Sequence, residues 1–520
     1  MIKPINSLPV SRRKVLVGAA AGLFMPSLSL LSVRAAERRG GTLRIALYKD
    51  LRTLNPLMST FANEFRTTVN LYNNLFSVSP DGRLGYDLAE SFEASSDAKI
   101  WTVKLRAGVK FHDGSPLEAE DVVATIEKLI DPQTASAYAK EVGEIASVKA
   151  VGALTVRFEL KSPTADMPKN LASPVACIVS RTGIANFDKL GVSAHGTGPF
   201  KLKEFVANDR VVLERNPHYF VEGRPYLDEV VMRVLPDSST QLAALRNKEV
   251  DVIADVDNDT FTEVTKYPGI NAMQMPSGTF NAIVLFADQP PFANPDVRLA
   301  LKLALDRKVM AEVITNGTGS PADDHPISPN YEYFDKSIEV RQSDLKRARD
   351  LLTKAGLKGG FKHRLVVATS PASRERTAVV AQAMASQIGI HLELEMMDNA
   401  RYGDTIWNKG TASYVANYTI RPTEDAILSK MYSAKAGTNE GRWATPESER
   451  ILDEARASTD PARRRALYAQ FQRMARDNGP FIIGNFFSVL VAASNTVKGY
   501  PLHPMQADTR LDQVWIEKSA

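Results

Sequence analysis

The stretch Trp101-Thr102-Val103-Lys104-Leu105, carried on through Phe111-His112-Asp113-Gly114 into Ala119 to Leu129, governs the reading of the fold. Its first five residues alternate apolar with polar, the period-two pattern of a strand with one buried face. Asp113-Gly114 supplies turn residues between a strand ending at Phe111 and the next element. After Ser115-Pro116, apolar residues in Ala119–Leu129 return every three or four positions, which predicts an amphipathic helix.

The same alternation of elements continues outward in both directions. Thr42–Tyr48 and Leu154–Leu160 repeat the strand pattern, while Ser239–Lys248, Pro295–Asp306, Ser343–Ala355 and Arg374–Ile388 carry helix patterns with start or stop signals, Gly356 and Gly389 closing the last two. Helix interleaved with strand throughout predicts an α/β protein rather than a sandwich or bundle. At 520 residues the chain is long enough for two or three domains. No fixed-period repeat and no low-complexity tether separates them, so strands rather than a flexible linker are expected to join the domains, which is an arrangement suited to hinges.

Residues 1–36 read as an export signal. Arg12-Arg13-Lys14 precedes an apolar run from Val15 to Val33, and Arg34-Ala35-Ala36 offers small residues for cleavage. The Arg-Arg pair in Ser11-Arg12-Arg13-Lys14-Val15-Leu16 resembles a twin-arginine signal, the alternative being an ordinary secretory signal. Cleavage there removes five of the 64 basic residues and none of the 60 acidic ones, leaving 59 and a formal charge of −1. A basic nucleic-acid partner surface is not expected on that balance. The signal contains no cysteine to acylate, so the expectation is a soluble periplasmic protein without a lipid anchor.

Cys177 is the only cysteine, which removes an intramolecular disulfide, a redox pair and cysteine-based metal sites. The seven histidines are scattered without metal-ligand spacing, and no nucleophile elbow, phosphate loop or dinucleotide fingerprint stands in a fitting context. No metal, cofactor or catalytic residue is therefore expected. Gly196-Thr197-Gly198-Pro199 reads as a close approach of backbones, since Pro199 removes an amide that a phosphate cradle needs. Arg421, in Asn417-Tyr418-Thr419-Ile420-Arg421-Pro422-Thr423-Glu424-Asp425, lies at a strand-to-helix turn, where α/β proteins place ligands. The competing reading is a surface arginine paired with Glu424 or Asp425.

Several of these stretches together resemble one family. Gly41-Thr42-Leu43, Leu54-Asn55-Pro56, Leu88-Ala89-Glu90-Ser91, Trp101 to Arg106, Gly108 to Gly114 with Ala119-Glu120-Asp121-Val122, Gly196 to Phe200, Glu214 to Pro217, Pro291-Phe292, Val297-Arg298, Ala304 to Arg307 and Ala355-Gly356 follow in order along the chain. This succession resembles the extracytoplasmic solute-binding proteins of family 5, which serve dipeptide, oligopeptide and opine ABC importers. The resemblance implies a type II periplasmic-binding-protein fold, with two hinged α/β lobes and an inserted extra domain. By that similarity lobe I comprises 37–60, 195–275 and 485–520, the extra domain 61–194 and lobe III 276–484, with hinge strands near Gly278–Leu285 and Phe481–Asn485.

It also implies a non-enzymatic receptor, a monomer that captures a small-molecule solute between its lobes and hands it to permease and ATPase subunits at the inner membrane. Peptide binders of the family carry an aspartate for the ligand's ammonium group in a segment that corresponds here to Ala416 to Arg421, where Ile420 or Arg421 stands instead. A cation there favours an anionic, peptide-like or opine-like solute. The ligand contacts expected are Arg421 for the anion, Tyr418 and Trp407 as apolar walls, Asn417, Asn439 and Asn55 as polar neighbours, and Phe280-Asn281 at the hinge. A dipeptide or oligopeptide whose ammonium group pairs with Asp425 or Glu424 is the alternative, and a cofactor-loaded periplasmic enzyme a remote one.

Overall fold

The computed structural model describes residues 39–48, 50–506 and 508–518, so the export signal expected over 1–36 lies outside the described residues. Three sheets organise the chain. The first has seven strands in the order Ile270–Pro276, Ser488–Ser494, Val252–Ile253, Thr42–Leu47, Glu229–Val234, Arg210–Arg215 and Phe200–Val206. Thr42–Leu47 is central and runs parallel to both neighbours, and the flanking ladders are antiparallel. The second has five strands, ordered Ile390–Met397, Phe361–Ala368, Ser413–Tyr418, Phe280–Val284 and Phe481–Ile482. The third is an antiparallel sheet of Ala89–Ala94, Ile100–Leu105, Thr155–Leu160 and Ile145–Gly152.

Alternation along the strands assigns each sheet its two cores, because successive side chains leave a strand on opposite faces. In the second sheet Phe280, Ala282, Tyr414, Ala416 and Tyr418 pack on one side, and Ile283, Val415, Leu365 and Val367 on the other. In the first sheet Leu43, Ile45 and Leu47 face the opposite way from Ala46, which packs with Leu242, Leu245 and Phe261. The Leu43 face shares one continuous core with Trp101, Val103, Val156 and Phe158 of the third sheet. The third sheet is thus fused to the first, and the molecule consists of two bodies rather than three.

The helix expected after the opening stretch spans Ala119–Ile130, and its strand spans Ile100–Leu105. The strand does not reach Phe111. Residues 106–111 leave the sheet, and Phe111 closes a turn in which its carbonyl accepts from Gly114 N at 2.9 Å. The other helices expected from the sequence span Ser238–Arg246, Pro295–Ala304, Leu345–Lys354 and Ser373–Ser386. Aspartates set two starts: Asp237 accepts from Thr240 N and Asp344 from Arg347 N.

The chain passes between the bodies twice, after Pro276 and before Ser488. The two crossings bond to each other, Ser277 N to Phe487 O at 3.0 Å and Phe487 N to Thr279 O at 2.8 Å. One antiparallel ladder therefore continues from the first sheet into the second, and it is the covalent tie between them. This is the α/β type II arrangement, two hinged lobes with a domain inserted in the first.

Candidate cleft between the lobes

The strand Ser413–Tyr418 lies in the middle of the second sheet, and Thr419 to Thr423 carry the chain from its end to the helix Glu424–Tyr432. Thr423 caps that helix by accepting from Ala426 N at 3.1 Å. The turn aims Arg421 out of its own lobe. Its backbone N–H donates to the Tyr331 hydroxyl at 3.0 Å, while the guanidinium forms an ion pair with Glu141, 280 positions away in the inserted domain. The pair is only partly screened, with Arg421 and Glu141 side chains 18% and 24% exposed. Ser173 Oγ donates to the other Glu141 oxygen at 3.3 Å. Tyr138 stands alongside: burial pushes its phenol up, and the Arg421 charge pulls the other way.

Neither carboxylate expected beside Arg421 faces it. Glu424 is buried, accepts from Tyr333 N at 2.7 Å, and is pushed above the usual carboxylate range by that burial. Asp425 receives two hydrogen bonds from Arg456, each 3.0 Å. Both residues lie on the helix that the turn begins, and that helix packs into its own lobe.

Further contacts tie the inserted domain to the second lobe. Lys169 Nζ reaches Glu332 at 2.6 Å, Arg464 pairs with Asp166, and Ala165 N donates to Arg456 O at 2.8 Å. Behind Arg421 these contacts leave a space of about 20 Å³ bounded by Lys169, Tyr331, Glu424 and His503, room for a water molecule. A larger opening of about 690 Å³, lined by Arg106, Tyr219, Phe220 and Arg510, has no wall from the second lobe and contains none of the expected ligand residues.

The other expected residues, Trp407 apart, are buried or hold turns and loops of their own lobe. Tyr418 is buried and stacks on Phe280 at 5.2 Å, so Phe280 is core rather than cleft lining. Asn417 Nδ2 donates to Asn281 Oδ1 at 3.0 Å, and Asn281 passes the chain to Thr377 Oγ1 at 3.0 Å, a polar string within one lobe. Asn55 folds its own turn, its carboxamide oxygen accepting from Leu57 N at 3.1 Å. Asn439 likewise holds a loop, donating to Tyr432 O and Trp443 O and accepting from Trp443 N. Its neighbour Glu440 is the residue beside the tyrosines: Tyr414 OH donates to it at 2.6 Å, and burial pushes its carboxyl up. Trp407, by contrast, is 42% exposed.

Two other sequence features are structural. His112 Nε2 meets Gly198 O at 3.1 Å, and burial pushes its imidazole down to about 4. A Cβ on Gly196 or Gly198 would lie 2.2 or 2.4 Å from the Leu71 backbone, so these glycines serve close backbone approach. Among the described residues no group of three or more His, Cys, Asp or Glu is placed to hold a metal ion, and no helix is long and apolar enough to cross a membrane.

Two lobes tied by one ladder and meeting through ion pairs have their counterpart in sequence: residues 83–439 match the model of the bacterial extracellular solute-binding proteins, family 5 Middle. The chain belongs to this family. Family 5 proteins bind solutes rather than transform them, and this one is not an enzyme. The family 5 chain is 26% identical over 471 residues to the glutathione-binding protein GsiB of Shigella flexneri, covering 88% of this chain and 92% of that one. The same figures hold for GsiB of Escherichia coli K12. Among solved structures, DppA from Helicobacter pylori, an ABC transporter-associated periplasmic binding protein in complex with the peptide STSA, is 26% identical with a TM-score of 0.77, covering 94% of this chain and all of its own. AgaA from A. tumefaciens, in complex with agropinic acid, is 26% identical with a TM-score of 0.76 over 92% and 99% of the two chains.

The residues beside Arg421 that sequence reasoning missed are Glu141 and Tyr138; it also missed Glu440, the buried carboxylate beside Tyr414. Glu141 sits in the single turn Ala139–Val142, too short for any periodicity to mark it. The arrangement brings opposite charges together where the lobes meet, Arg421 from one and Glu141 from the other.

Proposed function

We propose that this family 5 protein is the periplasmic receptor of an ABC importer, and that it closes its lobes on a small polar, peptide-like or opine-like solute with an anionic group at Arg421. The observation that carries this reading is the place of Arg421: on a strand-to-helix turn, reaching across the cleft, with its counter-charge on the opposite lobe. A guanidinium offers a planar two-donor fork that fits a carboxylate or phosphate. The relatives support the class of solute, since they are described with glutathione, a peptide and agropinic acid. Arg12-Arg13 and the cleavable segment that follows support export to the periplasm.

Peptides remain a second reading, favoured by a specific observation. The cleft does present a carboxylate, Glu141, although not where peptide binders of the family carry theirs.

Calorimetry with glutathione, Met-Leu and agropinic acid tests the anion site. Arg421→Ala is expected to weaken whichever of these the wild type binds by roughly 2–5 kcal/mol, because truncation leaves the solute's charge unpaired in a desolvated place. Arg421→Lys should recover part of the loss, keeping charge without the fork. Binding by Arg421→Ala within about threefold of wild type, under 1 kcal/mol, removes the anion site from the reading.

A further inference from the structure

Resting on the reading that an anion binds Arg421, we infer that Glu141 is the specificity residue of the inserted domain, selecting solutes whose anionic group is accompanied by an ammonium group, as at an α-amino-acid end. The Arg421–Glu141 pair then occupies the place of a zwitterion: one charge from each lobe, meeting where the solute's two charges go.

Three features of the pair support exchange rather than a fixed structural tie. Both side chains are partly open to solvent, whereas the Asp166 and Arg464 side chains of the neighbouring cross-lobe pair are only 3% and 7% exposed. Each member also has a partner in its own lobe, Glu141 in Ser173 Oγ and the Arg421 backbone in Tyr331 OH. The rival carboxylates are committed: Glu424 to Tyr333 N, Asp425 to Arg456 and Glu440 to Tyr414 OH.

The selection follows from charge accounting. A solute carboxylate that takes Arg421 strips Glu141 of its counter-ion, and a carboxylate left without a partner in a partly desolvated cleft is penalised. A solute that brings an ammonium group restores the second pair, so one ion pair is replaced by two. A purely anionic solute cannot do this, and Glu141 acts against it, which is selectivity by repulsion as well as attraction.

The test uses the full mature chain and calorimetry with glutathione and Met-Leu, each in its free-amine and N-acetylated form. Wild type is expected to bind at least one free amine about tenfold or more tightly than its N-acetyl form. Glu141→Gln should reduce that preference to about threefold or less while leaving the N-acetyl form unchanged or bound more tightly, since Arg421 is released. Glu141→Asp should retain part of the preference, and an unchanged melting temperature for all variants confirms folding. The inference is overturned if wild type shows no preference for the free amine, if no free-amine probe binds, or if Glu141→Gln keeps the preference. Arg421→Gln separates the two readings: affinity lost there, with the preference intact in Glu141→Gln, overturns the role of Glu141 alone, whereas affinity unmoved by Arg421→Gln overturns the anion site itself.

Discussion

Asp166→Asn should open the protein rather than unfold it. Asp166 belongs to the body built on the first sheet, where its neighbour Met167 joins the shared core, and Arg464 belongs to the helix Pro461–Asn478 of the second lobe. Their side chains are almost wholly inaccessible, and the Arg464 guanidinium lies 5.0 and 5.5 Å over the rings of Tyr333 and Tyr468. Its Nε already lacks a hydrogen-bond partner. Removing one partner of a buried ion pair costs about 3–5 kcal/mol, because the remaining charge keeps its desolvation penalty without its counter-charge. Here the molecule can escape that penalty by separating the lobes, which returns Arg464 to water. The cost therefore falls on the closed state, and 3 kcal/mol lowers its population relative to the open state roughly 150-fold. Small-angle scattering of the ligand-free variant should show a larger radius of gyration than wild type, and thermal unfolding only a modest shift. Asp166→Leu combined with Arg464→Met should return the radius to the wild-type value, since replacing both charges by apolar groups is close to neutral. A wild-type radius for Asp166→Asn, with the whole loss appearing as a lower melting temperature, refutes the reasoning.

Saturating solute should shrink the radius of gyration and raise the melting temperature, with about 2.7 kcal/mol of added stability at a hundredfold excess over Kd; titrated scattering and calorimetry check both. Burial holds His112 and His325 down at about 4 from an ordinary 6.5, so the unfolded chain takes up protons first, and stability is expected to fall as pH drops from about 6.5 towards 4 by up to about 3 kcal/mol for each histidine. Denaturant midpoints between pH 7 and 4.5 measure this, and His325→Gln should flatten the slope. Gly198→Ala places a methyl group 2.4 Å from the Leu71 carbonyl carbon and should cost about 3 kcal/mol or more, read as a lower urea midpoint.

Local patterns in the sequence marked the elements whose burial is one-sided. Ala119–Ile130 falls within a residue of its expected ends because its periodicity and turn residues agree, whereas the strand Ile100–Leu105 keeps its alternating stretch but stops short of the expected Phe111. The close approach at Gly196 and Gly198 was legible for a similar reason, the proline beside them excluding a phosphate cradle. Strands of two residues such as Val252–Ile253 and Phe481–Ile482 are too short to show a period, and they exist because neighbours from elsewhere in the chain pair with them. The same holds for the cleft. Arg421 stood out by its place at the end of a strand, but its partner Glu141 is brought to it only by the packing of two lobes. Asn439 illustrates a finer limit: expected as a polar neighbour of the ligand, it holds its own loop, and it is Glu440 that turns towards Tyr414, a choice set by backbone geometry that composition does not encode.

The strand Ser488–Ser494 sits between Ile270–Pro276 and Val252–Ile253, inside the first sheet rather than at its edge. During synthesis the ribosome delivers Thr42–Leu47 and the whole inserted domain long before that strand exists, so the first lobe waits for residues made more than 400 positions later. The second sheet has no such debt, its strands all lying between Phe280 and Ile482. Pairings of this span make for high contact order and slow folding. A nascent chain halted before residue 488 is accordingly expected to form the second lobe while the first remains protease-sensitive, the reverse of the order in which the two are translated.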